Sequence, residues 1–371
     1  MIKHFLIFII FSSIPLNTLG QETRNSSIQE VFNKLVNTYG SAKQKPKLVV
    51  RTSKSSKPAE YIAKDATIFI DNYVFTLSKE LGKDQLNVLS IIISHELAHY
   101  YFDHTFCTDY AVATRNLNKE LAKDIRDSSM DSRIEKETEA DQKGLFYAAA
   151  AGYNPFDLYP EFITRLYNAY QLPDELEGYP SKQQRIKLAE DADDKAIELY
   201  DYFQEGLNAI KNKQYEKAIK SFENANRYIP FRENYNNIGV AKTRIAIKLK
   251  VSKNENEKRF KYPIEIDYES RLKQNKTRSI ANGEKKMTML LKSAKEDFDK
   301  AIRLDPKYTQ AYINLACVYD LLENYYGAIG TIKDLYEITS ETKDAQRILA
   351  IAYYHADMED KAEIIWNKLK I

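Results

Sequence analysis

Five histidines are spread over 371 residues, and two of them stand four apart around a glutamate in Ser94-His95-Glu96-Leu97-Ala98-His99-Tyr100. In a helix, residues i and i+4 share a face. His95 and His99 therefore offer two imidazole nitrogens to one metal ion, and zinc suits such a pair. Glu96, one residue past the first ligand, reaches a water on that metal. Zinc lowers the pKa of bound water toward about 7, and a carboxylate then takes the proton as the water attacks a carbonyl. The expected chemistry is metal-assisted hydrolysis with Glu96 as general base.

Catalytic zinc usually keeps three protein ligands and one open position. A third histidine six residues after the second, with a glycine between, would complete one common pattern. Those places hold Thr105 and Phe102, so the third ligand comes from elsewhere. The acidic run Glu135-Lys136-Glu137-Thr138-Glu139-Ala140-Asp141 supplies candidates. Glu137 and Asp141 share a helical face. One can bind the metal while the other accepts a hydrogen bond from a ligand histidine and fixes its tautomer.

These two segments, with Gly144, the alanines of 148–151 and Gly152-Tyr153-Asn154-Pro155, resemble the zinc metallopeptidase family of HtpX, BepA and the CAAX prenyl proteases. The resemblance covers about residues 60–190. It implies a gluzincin in which one zinc ion is bound by His95, His99 and Glu137, with Glu96 as base and Asp141 supporting the site. His104 matches a histidine often found at the end of the first helix. The family commonly has His-Pro before a short helix bearing an arginine. This chain has Tyr179-Pro180 ahead of Arg185. Tyr179 is therefore a candidate for capping the metal or stabilising an oxyanion. Arg185 is a candidate for transition-state stabilisation or for pairing with a carboxylate.

The elements that must position these groups follow from periodicity. Short β-branched and aromatic runs at 48–50, 60–62 and 67–70 read as strands. Leu86, Leu89, Ile93 and Leu97 recur at helical spacing and place His95 to His99 on a helix over 84–104. A second helix is expected over 131–151, stopped by Gly152 and Pro155. Strands followed by long helices indicate an α+β zincin-type domain over 21–190. Thr67, Ile68, Phe69, Ile70 and Asp71 are the expected edge strand, on which an extended peptide adds by main-chain pairing.

From about residue 191 to 371 the pattern becomes paired helices. Gly206, Ala218, Phe222, Ala225 and Pro230 set a spacing that Ala294, Phe298, Ala301 and Pro306 repeat. Ala316 with Tyr319 and Ala328, then Ala350 with Tyr353, Ala362 and Trp366, supply two more units. This resembles the tetratricopeptide repeat, as an all-α solenoid of about four units, and such stacks commonly hold peptides or partner proteins. A charged insertion, 251–286, splits the second unit.

The first twenty residues run from Lys3-His4 through an apolar stretch at 5–11 to small and polar residues before Gln21. That is the order of a cleavable secretory signal, implying a periplasmic or secreted protein. No later stretch is long and apolar enough to span a bilayer. A net charge of +2 with 29% charged residues gives no reason to expect nucleic acid. Cys107 and Cys317 are too few for a disulfide framework. The expected partners are protein or peptide substrates and a protein on the repeat surface. The expected function is proteolysis in envelope or secreted protein quality control. The alternative is a chaperone or assembly scaffold with a largely silent site.

Overall fold

The computed structural model describes residues 16–55, 57–104, 119–174, 181–249, 258–264 and 284–371. Most of the expected signal (1–15), Cys107 and Tyr179 lie outside the described residues. The described chain is mostly helical, with one small sheet. In order it comprises α1 (Leu16–Tyr39), β1 (Lys47–Arg51), β2 (Ala59–Ile62), β3 (Thr67–Asp71), α2 (Asn72–Lys79), α3 (Gln85–Tyr101), α4 (Lys119–Ala150), α5 (Tyr159–Tyr170) and α6 (Lys182–Lys211). There follow α7 (Tyr215–Asn226), α8 (Arg232–Leu249), α9 (Glu284–Leu304), α10 (Thr309–Leu321), α11 (Tyr325–Tyr336), α12 (Lys343–His355) and α13 (Glu359–Leu369).

The sheet has the order β1-β3-β2, with β1 parallel and β2 antiparallel to β3. Thr67–Asp71 is therefore the central strand, not the expected edge. Its composition explains the place: Ile68 and Ile70 are both fully buried, and a strand covered by neighbours on both sides needs no polar margin. Asp71 is 0% exposed and anchors the β1–β2 loop. It accepts from Ser55 N at 2.6 Å, Ser55 Oγ at 3.1 Å and the Tyr170 hydroxyl at 3.2 Å.

Among the described residues β2 has no strand on its outer side, and this edge lies beside α3. Pro58 O accepts from Asp71 N at 2.9 Å, and Glu60 and Ile62 lie opposite Phe69 and Thr67. Bonded and non-bonded pairs alternate along an antiparallel ladder. The main-chain groups of Ala59 and Tyr61 therefore face away from β3.

α3 is buried along most of its length, which its Ile91-Ile92-Ile93 run demands. It packs between the sheet, α1 and α4. Tyr39 of α1 locks this junction. Its hydroxyl donates to Ser94 O at 2.7 Å, and its ring stacks on Tyr147 at 4.0 Å and Tyr101 at 4.9 Å between centroids.

The expected boundary at 190/191 is not a break. α6 runs through it as one helix, and a single apolar cluster extends from Ile28 of α1 to Leu249 of α8. The N-terminal half of α6 brings Arg185 to Asp141 of α4, and the C-terminal half opens the helical stack. That stack consists of the pairs α6–α7, α8–α9, α10–α11 and α12–α13, tetratricopeptide-like in arrangement. A small residue faces an aromatic ring in successive pairs. A Cβ on Gly206 would lie 2.5 Å from the Phe222 ring, and one on Gly239 would lie 2.7 Å from the Phe298 ring. Ala350 packs on Trp366 in the last pair.

Candidate metal centre

α3 and α4 bring His95, His99 and Glu137 together, with one ligand atom from each all within 4.8 Å of one another. His95 Nε2 and His99 Nε2 are 3.0 Å apart. Glu137 Oε2 is 3.5 Å from the first and Glu137 Oε1 is 3.4 Å from the second. A tetrahedral ion with bonds of about 2.0–2.1 Å holds its ligand atoms about 3.3 Å apart. The observed separations bracket that value, and a set of two imidazoles and one carboxylate is a known catalytic zinc set. The residues present fit the ion.

Gly144 makes this approach possible. A Cβ there would lie 3.0 Å from His95 N and 3.2 Å from His95 Cα, both backbone atoms that cannot swing aside. A larger residue at 144 would hold α4, and with it Glu137, away from the histidines.

Each imidazole is oriented through its other nitrogen. His95 Nδ1 lies 2.7 Å from Asp141 Oδ1, which leaves Nε2 to face Glu137 and His99. Asp141 is 1% exposed and is held in turn by Arg185, whose NH2 donates to Oδ1 at 3.0 Å and whose NH1 bonds Oδ2. The Tyr159 hydroxyl donates to Asp141 Oδ1, and Arg185 NH2 reaches that hydroxyl at 3.0 Å. His99 Nδ1 meets His104 Nδ1 at 3.0 Å. The chain turns sharply at Asp103 (φ 56°), which brings His104 back beneath the helix end. His104 Nε2 then stands 3.3 Å from Glu139 Oε2, and Glu139 also pairs with Lys143.

The electrostatics follow from this geometry. Burial works against charge on His95, but the hydrogen bond and charge of Asp141 outweigh it and raise its pKa to about 10. His99 is driven the other way, down to about 3, by burial and by the charge of His95. Burial also pushes Glu137 up, yet His95 and His99 hold it well below the usual carboxylate range. Glu96 is 8% exposed. Burial lifts its pKa to about 7, against the charge of His95 and a hydrogen bond from the Tyr61 backbone. That last contact places the base beside the edge strand β2.

No family model matches the chain, and no curated protein matches it. Among solved structures it is similar to the TPR2AB-domain:pHSP90-complex of yeast Sti1, at 15% identity over 79% of this chain and 91% of that one, with a TM-score of 0.27. At that score the helix pairing rests on this chain's own geometry.

The structure thus gathers His95, Glu96, His99, Glu137 and Asp141. It gives Arg185 to Asp141, leaving that guanidinium 3.7 Å from Glu137 Oε2. Tyr159 and the pairing of His104 with Glu139 were not legible as parts of the site, although His104 itself stood out as a match to the histidine at the end of the first helix. For Tyr159 no sequence signal exists, because only the turn between α4 and α5 brings it back. For His104 the signal was a third histidine within reach of His99 on the same segment.

Proposed function

We propose that this chain is a zinc-dependent endopeptidase whose tetratricopeptide-like stack receives protein substrates or partners. The convergence of His95, His99 and Glu137 carries the reading. Zinc held by these three would leave one position for water, lower that water's pKa and polarise a carbonyl beside it.

The chain's own residues supply the rest. Asp141 and His104 hold the two imidazoles with Nε2 presented inward. Arg185 balances the charge of Asp141, so that two carboxylates can share one buried site. The Glu96 carboxylate accepts a proton from the attacking water and returns it to the leaving amine. The outward main-chain groups of Ala59 and the carbonyl of Tyr61 can pair with an extended peptide and set its own carbonyl beside Glu96, to which the Tyr61 N–H already donates. Such pairing reads backbone rather than side chains, which fits broad sequence tolerance. The signal-like order of residues 1–20 supports action in the periplasm or outside the cell.

A second reading, a chaperone or assembly scaffold with a largely silent site, is favoured by the four helix pairs of the C-terminal half. Glu96→Gln separates the two. Zinc content of the purified chain should stay at one ion per subunit while casein hydrolysis is lost. Hydrolysis at the native rate would remove Glu96 as base. Full rescue of a cellular defect by the variant would favour the scaffold.

A further inference from the structure

Residues 258–264, within the insertion between α8 and α9, lie against three helix pairs of the stack. Phe260 is seated on a wall of rings, with centroids 5.1 Å from Tyr354, 5.9 Å from His355 and 5.7 Å from Trp366. Beside it, Arg259 donates to Glu363 at 2.7 Å and its guanidinium lies 5.1 Å from the Trp366 ring centre. Tyr262 Oη donates to Asp320 Oδ2 at 2.7 Å. Arg244 of α8 donates to the main-chain oxygen of Ile264 at 3.1 Å. Apart from the single 3-10 turn Lys258–Phe260, the segment has no regular structure of its own.

These are the contacts of a bound peptide rather than of a repeat. Repeats touch their neighbours through continuous apolar faces. This segment instead crosses from α8 to α10 to α12 and α13. It is held by one aromatic anchor, one cation on an acidic side chain, one hydroxyl on a buried carboxylate and one main-chain contact, and Ile264 at its end is buried in the apolar cluster of the repeats. Such a mixture of an aromatic anchor and oriented polar groups is how grooves recognise short motifs. Asp320 belongs to the slot before the peptide arrives, because His355 Nδ1 already holds it at 2.9 Å.

We propose that the slot formed by Arg244, Asp320, Tyr354, His355, Glu363 and Trp366 is a peptide-binding site for an extended basic-aromatic segment of a partner protein. Residues 258–264 occupy it in cis. The pattern it takes is a cation, an aromatic ring directly after it, and a tyrosine two residues further on. This does not depend on the hydrolase reading. Because the occupant belongs to the same chain, it competes at an effective concentration on the order of 1 mM, so an external peptide of ~10 μM intrinsic affinity is weakened about 100-fold. Partners bind when the internal occupant is loosened.

Trp366 is the chain's one tryptophan and reports on the slot directly. The full chain and its Phe260→Ala variant are titrated with a synthetic peptide of residues 258–264 and followed by tryptophan emission. In Phe260→Ala, emission should shift to the red and become more accessible to a quencher. The peptide should reverse both changes saturably, binding the variant at least 10-fold more tightly than the wild type. Unchanged emission in Phe260→Ala, failure of the peptide to bind the variant, or equal binding to both proteins would each overturn the proposal. If Phe260→Ala loses helix signal, Tyr262→Phe, which removes only the bond to Asp320, takes its place. It should show the same gain in peptide binding at smaller size, and no gain would count against the slot.

Discussion

Replacing Asp141 by Asn tests whether the buried carboxylate holds both the site and the fold. Asp141 Oδ1 receives His95 Nδ1, Arg185 NH2 and the Tyr159 hydroxyl, while Oδ2 receives Arg185 NH1. An asparagine keeps the first three by pointing its oxygen at His95. Its NH2 group then faces Arg185 NH1, donor against donor, and the guanidinium loses its counter-charge. With a side chain only 12% exposed, Arg185 cannot turn to water. Removing one partner of a buried pair costs about 3–5 kcal/mol, because the other charge stays behind unpaired. The nearest remaining carboxylate is Glu137, 3.7 Å away, so Arg185 now competes with the metal for it. Losing such support typically lowers metal affinity ~10–100-fold. Chemical denaturation of the metal-free chain and competition against a zinc chelator measure the two effects. Arg185→Met with Asp141→Asn should recover most of the lost stability, since no buried charge is left unpaired. The coupling in that double-mutant cycle should be on the order of 2–3 kcal/mol. Additive losses, or an Asp141→Asn protein that binds zinc like the wild type, would refute the reasoning.

Gly144→Ala should lower both stability and zinc affinity, because the new methyl meets His95 backbone at 3.0 Å and forces α3 and α4 apart. Overpacking of this kind costs about 1–3 kcal/mol, and a thermal melt with and without zinc reads it. An unchanged melt in both conditions would mean that the helices have room the structure does not show. At Asp193, burial raises the pKa against a hydrogen bond from Asp157 N, and Oδ1 has no hydrogen-bond partner among the described residues. A carboxyl whose folded pKa is raised contributes most below its unfolded pKa, and that contribution is lost as pH rises through the folded value. Asp193→Asn removes this loss and keeps an acceptor for Asp157. The variant should melt higher than wild type near neutral pH, and the gap should close as pH falls below the ordinary aspartate range. A gap that widens in acid would reverse the assignment.

Much of the site was legible because helical spacing is rigid. Once residues 85–101 form a helix, His95 and His99 must share a face, and the same holds for Glu137 and Asp141. All three strands were likewise visible as apolar runs. Their order was not, because local pattern gives the existence of a strand but not its neighbours. Only the burial of Ile68 and Ile70, which the structure supplies, marks Thr67–Asp71 as the middle of the sheet rather than its rim. The boundary at 190/191 rested on a change of repeat pattern. A helix that serves two units shows no turn residue at the join, and α6 has neither Gly nor Pro between Lys182 and Glu205. The slot around Phe260 was invisible for a different reason. Its partners lie on α8, α10, α12 and α13, and only the stacking of the repeats sets them side by side.

Among the described residues α6 is the one element that belongs to both the site and the stack, which raises the question of whether strain at one end is felt at the other. Arg185, near its start, grips Asp141, and Gly206, near its end, lets Phe222 pack flat against the helix. At 1.5 Å per residue these points lie roughly 30 Å apart. Gly206→Ala puts a Cβ 2.5 Å from a ring that is 0% exposed, so the ring or the helix must move. The gain in helix propensity, ~1 kcal/mol, is smaller than the overpacking it opposes, about 1–3 kcal/mol. The melt should therefore fall. Zinc affinity should not, because Arg185 is fixed locally by Asp141 and Tyr159, and Ser181 caps the same end of the helix through Gln184. Interfaces between packed helices absorb small shifts by sliding, and nothing obliges a displacement at Gly206 to reach the first turn. If zinc binding weakens together with the melt, α6 transmits the displacement as a rigid rod, and the two halves of the chain act as one unit.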